Sequence, residues 1–511
     1  MDHSGVRYAG AVPCNNALRA AVVLAAMWAA PEGTDGQMAA GREAPLKLVQ
    51  FSAVALDSHG QPVGDLTADD FRITDAGKPQ KVAVFRHSDS KLQQVPPLGP
   101  GEFSNRTAAN VPHATLILFD LLNEDFGARG AAADNLVRVL KSLESSDCLY
   151  LYILTADARL YPVYGLPGSG HEAPPFGGVP WTKDAKALVD GAMGKVSLLR
   201  PPTMDIDTRV RATYRSLGSV AWLLMSIPGR KNIVWITHGV PIELGPGTVA
   251  GDWPVDYTPM LRELSLTMGR GNVAIYPAMQ VTPGMAAPDS EGAQYSGMGS
   301  RNTLQQFADL TGGPANPTNA IGELVRQAMN DMRTSYQIGY YAPAENWDGK
   351  FHKLRVTCTR KGVRIQAKTG YYAWLGQSSD EQDALDAAVT PAFDASEIGL
   401  RGTKAPSPQG AGHVHFTLRI EPSDVRIWQQ GDRYIGHLGV QVVAYPGEGE
   451  PQRSEVNAMD LNWSAEDLAN ARRDGIRWSR DIKLEEWVEK VRFLVFDRES
   501  YAIGTLTLPV K

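Results

Sequence analysis

A cluster of acidic and amide residues after an apolar segment is the first place in this sequence where side chains could bind a metal. The run ATLILFD ends at Asp120, and Asn123, Glu124 and Asp125 follow closely. Carboxylate and carbonyl oxygens are the ligands that small, hard divalent cations such as Mg²⁺ prefer. Open α/β sheets bind ligands beyond the carboxyl ends of their strands, where such an acid would lie. The alternative is that Asp120 caps the first turn after its strand.

A second polar group follows another apolar run, KNIVWIT, which ends at Thr237. His238 comes next, and its imidazole would shift the preference of a shared site toward a transition metal. The alternative for His238 is a loop histidine that hydrogen bonds to the backbone.

Sequence patterns of the common catalytic sites are absent. The chain contains no G-x-S-x-G, no G-x-x-x-x-G-K-[ST], no H-E-x-x-H and no D-x-D-x-D-G motif. His413 and His415 form an H-x-H pair on a strand-like segment, which can bind a metal, but no third ligand lies near them in the sequence. We interpret them as surface histidines.

The elements that would position these residues alternate between buried strands and amphipathic helices from residue 113 to about 340. This alternation predicts parallel strands joined by helices that cover both faces of a sheet. The predicted fold class is therefore α/β, with a mostly parallel central sheet flanked by an N-terminal β module and a C-terminal β-sandwich.

The predicted domain organisation follows these patterns and the composition. Its segments are a signal peptide and flexible N-terminus at 1–40, a β module at 46–90, a linker at 91–112, the alternating region at 113–340, a β-hairpin extension at 341–375, a linker at 376–412 and a β-sandwich-like domain at 413–511.

In the extension, the strands KLRVTCT and VRIQAKT are predicted to pair through a turn at 360–362. Successive residues of a strand point to opposite faces of the sheet. The residues predicted to share the apolar face are Leu354, Val356, Cys358, Val363 and Ile365. Those predicted to share the other face, which we interpret as solvated rather than as an anion-binding strip, are Lys353, Arg355, Arg364 and Lys368.

The overall composition indicates a folded protein of several domains and argues against nucleic acid as a partner. The chain has 511 residues, of which 43% are hydrophobic, and carries a net charge of -6. A nucleic-acid-binding protein would be expected to contain a strongly basic domain. The three cysteines, Cys14, Cys148 and Cys358, have no C-x-x-C spacing, and the only bridge that we consider is Cys148 to Cys358.

The N-terminus has the features of an export signal. Arg7 and Arg19 precede the apolar run AAVVLAAMWAA at 20–30, which is too short to span a bilayer. A short buried helix is the alternative, although this run lacks a polar face. We expect export to the periplasm, the cell envelope or the outside, with no transmembrane span after cleavage.

Several segments taken together resemble the VWFA-related proteins that are abundant in acidobacteria. The matching segments, within about residues 46–374, are VALDSHGQPVGDLTADDFRITDAGKPQKVAVF, ILFDLLN, PGRKNIVWITHG, FADLTGGPA, SYQIGYYAP and DGKFHKLRVTCTRKGVRIQAKTGYYA. The resemblance implies a Rossmann-like von Willebrand factor type A (VWA) domain flanked by β modules. Many such domains hold a divalent cation through a D-x-S-x-S loop, a threonine and an aspartate, and a carboxylate of the partner protein completes the site.

This chain departs from that pattern. Asp120 matches the first position, but Leu122 and Glu124 stand where serines are expected, and His238 replaces the aspartate of the later T-D-G element. The loss of two hydroxyls and a carboxylate removes most of the oxygen ligands that Mg²⁺ needs. We expect a degenerate site without a cofactor, and a bound divalent cation is the alternative. Thr213 or Thr208 would supply the threonine of the pattern, and the sequence does not decide between them. The residues assigned to the site are Asp120, Asn123, Glu124, Thr213 and His238.

The resemblance and the degenerate site favour an exported, non-enzymatic protein-interaction protein of the adhesion or scaffold type, whose partner the sequence does not identify. Two alternatives stay open at this point. One is a metal-assisted hydrolase that uses Asp120 and His238. The other is an intracellular VWA assembly subunit.

Overall fold

The computed structural model describes residues 47–89, 97–106, 113–124, 129–143, 148–167, 169–173, 184–196, 205–225, 227, 229–240, 243–244, 255–279, 302–314, 320–342, 346–374, 385–386, 388–389, 394–500 and 502–510. The predicted signal segment at 1–40, with Cys14, lies outside these ranges, as does Asp125. Within the described ranges, every helix is too short or too polar to cross a membrane.

Short strands make up the described chain up to residue 106. They are β1 (Lys47–Leu56), β2 (Phe71–Asp75), β3 (Lys78–Gln80), β4 (Val84–Asp89) and β5 (Glu102–Ser104). Phe71 and Ile73 of β2 are buried and Arg72 between them is exposed, as the alternation of apolar and polar residues in this strand requires.

Strands and helices are interspersed between residues 114 and 333. The elements are β6 (Ala114–Asp120), α1 (Arg129–Lys141), β7 (Leu149–Leu154), β8 (Leu160–Tyr164), α2 (Ala185–Val196), α3 (Ile206–Met225), β9 (Lys231–Thr237), β10 (Glu243–Leu244), β11 (Val255–Asp256), α4 (Thr258–Arg270), β12 (Val273–Met279), α5 (302–311) and α6 (Ile321–Arg333). β6 and β7 are buried along their whole length because their sequences are nearly continuous apolar runs.

The rest of the chain consists mainly of strands. The elements are β13 (Thr334–Ala342), β14 (Phe351–Cys358), β15 (Arg364–Ala367), β16 (Gly370–Tyr372), β17 (Leu400–Pro406), β18 (His413–Ile420), β19 (Trp428–Gln430), β20 (Arg433–Pro446), β21 (Gln452–Arg453), β22 (Asn457–Trp463), α7 (Ala465–Asp474), β23 (Ile476–Lys483), β24 (Val488–Asp497) and β25 (Ile503–Pro509).

A five-stranded mixed sheet with the order β12-β9-β6-β7-β8 positions the candidate site. The three ladders among β12, β9, β6 and β7 are parallel, and β8 runs antiparallel to β7. Helices α1, α2 and α6 pack on one face, and α3, α4 and α5 pack on the other. The parallel strands all end at one side of this sheet, which we call the carboxyl edge. Asp120 and Thr237 lie there, at the ends of β6 and β9.

The predicted fold class, an α/β protein with a Rossmann-like VWA domain around a mostly parallel central sheet, is wrong. The described chain is mostly β, and among its strands five of the six sheets contain antiparallel ladders alone. The prediction gave too much weight to the alternation between 113 and 340. It also missed β8, which a turn between Thr155 and Arg159 returns alongside β7.

Two four-stranded antiparallel sheets enclose a separate core near residues 47–89 and 334–374. Their orders are β15-β1-β13-β4 and β16-β14-β2-β3, and we call the pair the N-terminal sandwich. The predicted hairpin of β14 and β15 is wrong, because β14 pairs with β2 and β16 whereas β15 pairs with β1. The turn at 360–362 instead carries the chain from one sheet to the other.

The faces of these two strands are predicted better than their pairing. All five residues assigned to the apolar face pack in the core of the N-terminal sandwich, which confirms that prediction. On the opposite face Lys353, Arg355 and Arg364 are exposed. Lys368 is less exposed than these three residues. Its ammonium lies 3.3 Å from the carbonyl oxygen of Gln50, and burial lowers its pKa to about 8.

A second pair of antiparallel sheets surrounds the core near the C-terminus. One has the order β23-β18-β17-β5, and the other has β19-β20-β24-β25 with β21 and β22 also paired to β20. β5 and β17 fall within the segments 91–112 and 376–412, which the sequence assigned to linkers. Their Gly-, Pro- and Ser-rich surroundings conceal these strands. β5 forms by pairing with β17, which is distant in the sequence, and β17 also pairs with the next strand, β18.

The two described cysteines are not bonded to each other. Cys148 packs in the core beside α1 and α2, and Cys358 packs in the core of the N-terminal sandwich. The structure therefore places them in different cores.

A buried arginine joins the mixed sheet to the N-terminal sandwich within what is one compact unit of the chain. Arg230, directly before β9, is fully buried and donates hydrogen bonds to Ser52 Oγ at 2.8 Å, to the Gly312 carbonyl oxygen at 2.7 Å and to Tyr276 Oη at 3.2 Å. The Tyr276 hydroxyl in turn donates to Asp331 Oδ2 at 2.6 Å. The guanidinium is thus connected to a buried carboxyl through a tyrosine, and we call this network the Arg230 junction.

Lys231, the first residue of β9, is also fully buried. Its ammonium donates to the carbonyl oxygen of Ile227 at 2.6 Å and lies 3.9 Å from a carboxylate oxygen of Glu397. Burial lowers the pKa of Lys231 from 10.5 to about 8, although the Glu397 charge acts in the opposite direction. Burial raises the pKa of Glu397, so desolvation dominates on both sides of this pair.

We predict that the stability of the protein contains a Lys231 contribution that rises with pH. Between pH 8 and pH 10.5 the unfolded chain binds a proton at this lysine that the folded chain does not bind. The free energy of unfolding of the natural chain, minus that of Lys231→Met, should therefore rise by up to ~3 kcal/mol across this window. Urea denaturation at a series of pH values measures it.

The control is Lys353→Met, which removes an exposed lysine from β14. It reports the general effect of losing one lysine charge. Stability curves of the natural chain and Lys231→Met that run parallel from pH 8 to pH 10.5 would contradict the prediction.

Candidate functional site

Asp120 is the centre of the candidate site, at the carboxyl edge of the mixed sheet. Its side chain is fully buried because β6 lies between β7 and β9 and both faces of the sheet are covered by helices. Burial raises the pKa of Asp120, and the hydrogen bonds that the carboxyl accepts act in the opposite direction. A carboxylate in this position needs several donors to compensate for its desolvation.

Protein groups supply those donors. Asp120 Oδ1 accepts a hydrogen bond from the backbone N–H of Asn123 at 3.0 Å. Asp120 Oδ2 accepts three, from Asn123 Nδ2 at 2.8 Å, Thr237 Oγ1 at 2.7 Å and Trp235 Nε1 at 3.1 Å. These four bonds occupy most of the acceptor capacity of a carboxylate.

The amide of Asn123 bridges two of the predicted site residues. Its Nδ2 donates to Asp120 at 2.8 Å and also to Thr213 Oγ1 at 2.9 Å. The Thr213 hydroxyl donates to the carbonyl oxygen of Arg209, so it acts as an acceptor toward Asn123. This network fixes the orientation of the amide, with its NH₂ group between the carboxylate and the hydroxyl.

Glu124 and His238 form a separate pair beside this network. His238 Nε2 lies 2.9 Å from Glu124 Oε1, with the glutamate side chain almost completely buried and the histidine side chain 35% exposed. The structure therefore pairs His238 with Glu124, and Asp120 with Asn123, Thr237 and Trp235. A metal held jointly by Asp120 and His238, which the hydrolase alternative requires, has no support in these contacts.

Other residues that the sequence considered lie elsewhere. Thr208 donates to Asp205 at the start of α3, so Thr213 is the threonine of the site. Leu122 is buried in the apolar core beneath α3 and α4.

The residues present do not fit a Mg²⁺ ion. Mg²⁺ requires near-octahedral oxygen coordination, whereas an amide NH₂ lies between the two oxygens of Asp120 and Thr213 that would bind it. Asp120 Oδ2, which faces this position, already accepts three hydrogen bonds. Across the described ranges, no three His, Cys, Asp or Glu side chains are grouped as metal ligands.

Sequence reasoning missed Trp235, and it treated Thr237 only as part of a metal-site motif. Both residues donate to Asp120 because β9 runs parallel to β6, with Ile236 opposite Phe119. Alternate residues of a strand share a face, so Trp235 and Thr237 form one side of the site. The adjacency of β6 and β9 was the missing information.

We predict that the Thr237 hydroxyl stabilises the folded protein. Thr237→Val keeps the shape of the side chain but removes a donor to Asp120 and an acceptor for the Gly239 N–H. The free energy of unfolding should fall by about 1–3 kcal/mol, because the buried carboxyl loses one of its donors. Thr403→Val, at an exposed position of β17, is the matched control and should change stability by less than about 0.5 kcal/mol. Urea denaturation followed by tryptophan fluorescence compares the two, and equal losses would contradict the prediction.

Comparison with known proteins gives little further information. No protein-family model matches the chain. No curated protein matches it. Among solved structures, human COPII-coat protein Sec24c is similar at 11% identity and a TM-score of 0.24, over 53% of this chain and 46% of that one. The chain thus spans less than half the length of this solved structure, and a similarity of this strength does not establish a shared fold.

Proposed function

We propose that the chain is an exported, non-enzymatic protein-interaction protein, related to the VWFA-related proteins that its sequence resembles. In this proposal the carboxyl edge of the mixed sheet contacts a protein partner and uses no metal ion. The observation that carries the proposal is the Asn123 amide, which links Asp120 to Thr213. A neutral donor performs the linking role that a cation performs in metal-dependent adhesion sites.

The accessibility of the site residues supports contact rather than catalysis. Asp120 and Thr213 are fully buried, so neither reaches a substrate in this structure. His238 is the accessible group, and the buried Glu124 carboxylate holds it in place. A partly exposed imidazole that a buried carboxylate holds suits a contact at a protein interface, because little side-chain freedom is lost on binding.

Export rests on the N-terminal sequence, with Arg7 and Arg19 before the apolar run at 20–30. Cell fractionation and N-terminal sequencing of the mature chain test it. A chain that begins at Met1 in the cytosol would instead favour an intracellular assembly subunit.

We predict that a photo-cross-linking residue at position 238 captures a protein partner in the cell envelope. The matched control is the same residue at position 437. His437 is 39% exposed and faces Asp460 at 2.9 Å, so the two substitutions remove similar histidines that face a carboxylate. The adduct should form from position 238 and not from position 437. Its yield should be the same in excess EDTA and in excess Mg²⁺, and immunoblotting with mass spectrometry measures it.

Three outcomes would contradict the proposal. An adduct that EDTA abolishes would show that binding depends on a metal. Equal adducts from both positions would show that the contact is not specific to the carboxyl edge. No adduct, together with turnover of a screened substrate by the purified protein, would favour an enzyme.

A further inference from the structure

Strand β18 carries two histidines at its start, where the sequence is His413, Val414 and His415. It belongs to the sheet β23-β18-β17-β5. Residues two apart in a strand project from the same face, about 7 Å apart along the chain. The two imidazoles therefore lie side by side on one face. In the sequence they had no third partner, and the structure supplies one from the neighbouring strand.

That partner is Asp481 of β23, which lies opposite His415 in the antiparallel ladder. His415 Nδ1 is 3.1 Å from Asp481 Oδ1. The Asp481 carboxyl also makes a side-chain hydrogen bond with Ser407. An ionised carboxylate favours the tautomer of His415 with the proton on Nδ1, which leaves the lone pair on Nε2.

His413 completes the arrangement. Its Nδ1 is buried and has no hydrogen-bond partner among the described residues. Lys483 lies opposite His413 in the ladder, but its ammonium pairs with Glu485 at 3.3 Å. His413, whose Nδ1 has no hydrogen-bond partner in the described part of the chain, therefore lies two residues from His415, which a carboxylate orients.

We propose that His413 and His415 bind a divalent transition-metal ion, with Asp481 positioning His415 from behind. Imidazole nitrogens suit Zn²⁺, Ni²⁺ and Cu²⁺, whereas Mg²⁺ and Ca²⁺ prefer oxygen ligands. A carboxylate that accepts the second N–H of a metal-binding histidine is the usual support of such ligands. With two protein ligands the site is exchangeable, and water fills the other positions. Such a pair is consistent with the lack of any three-residue metal group in the described ranges.

The test measures Zn²⁺ binding to the full chain by competition with a chromogenic chelator. The protein carries no polyhistidine tag, because the imidazoles of such a tag would bind the metal themselves. Zn²⁺ should bind at a stoichiometry of one at this site, and Mg²⁺ in excess should not compete. In a parallel measurement, the Cu²⁺ spectrum by electron paramagnetic resonance should show coupling to two imidazole nitrogens.

Three variants and one control decide the outcome. His413→Gln and His415→Gln should each abolish measurable binding at this site, and Asp481→Asn should weaken it about tenfold or more. The control is His437→Gln, which removes a histidine that also faces an aspartate but has Ile435 and Gly439 two residues away. It should bind Zn²⁺ like the parent protein.

The proposal is overturned if His415→Gln binds as tightly as the parent, or if His437→Gln loses as much affinity as the β18 variants. Thermal unfolding of each variant without metal establishes that it is folded. Should His413→Gln fail to fold because its ring is partly buried, the variant of His415, whose side chain is 35% exposed, decides the question alone, together with the Cu²⁺ spectrum.

Discussion

The arrangement of the described chain depends on a guanidinium that has no contact with water. Arg230 is enclosed where the mixed sheet meets the N-terminal sandwich, and an unpaired charge there would cost far more than the protein's net stability. Hydrogen bonds to Ser52, Gly312 and Tyr276 satisfy it, and they come from three different parts of the chain. The junction therefore fixes how the sandwich is attached, because separating the two parts would leave the charge without acceptors. It also holds the first residue of β9 in place.

The opposite end of β9 carries the candidate site, so the Arg230 junction and the site are two ends of one strand. Arg230, directly before β9, is surrounded by hydrogen-bond acceptors. Asp120, which contacts Thr237 at the carboxyl end of β9, is surrounded by hydrogen-bond donors. In both places the groups that contact the charge directly are neutral. Neutral dipoles held by the fold stabilise a buried charge without the desolvation of a second ion. A site built in this way does not need a cation to hold its residues together, and this is the physical basis for expecting a metal-free interface.

How much could be predicted from the sequence depended on whether the interaction was local. The apolar runs of β6 and β9 predicted both strands and their ends at Asp120 and Thr237. Thr208 and Thr213 both lie in α3, and the choice between them depends on which turn of that helix lies beside Asn123. The spacing of residues does not encode how a helix packs on the sheet.

The pairing of strands shows the same limit more clearly. The alternation of β14 and β15 predicted which side chains are buried, and this was correct, but the partner of each strand was not a local property. A short turn between two strands favours a hairpin, yet here the turn connects two different sheets. The α/β assignment failed for the same reason, since strands in the predicted linkers acquire partners hundreds of residues away.

Several histidines in this chain face a carboxylate, and what each of them can do depends on the other groups around the pair. Within the described ranges the pairs are His238 with Glu124, His352 with Asp75 and Asp348, His415 with Asp481 and His437 with Asp460. His352 is largely buried, and Asp75 also accepts from the hydroxyls of Tyr340 and Tyr371, so that pair cross-links the core of the N-terminal sandwich. A carboxylate fixes the orientation of an imidazole, but it does not determine what the imidazole binds. His238 can contact a partner in our proposal because it is partly exposed at the carboxyl edge. His415 can bind a metal in our proposal because a second imidazole lies two residues away. The chemistry of each pair is therefore set by the fold around it rather than by the pair itself.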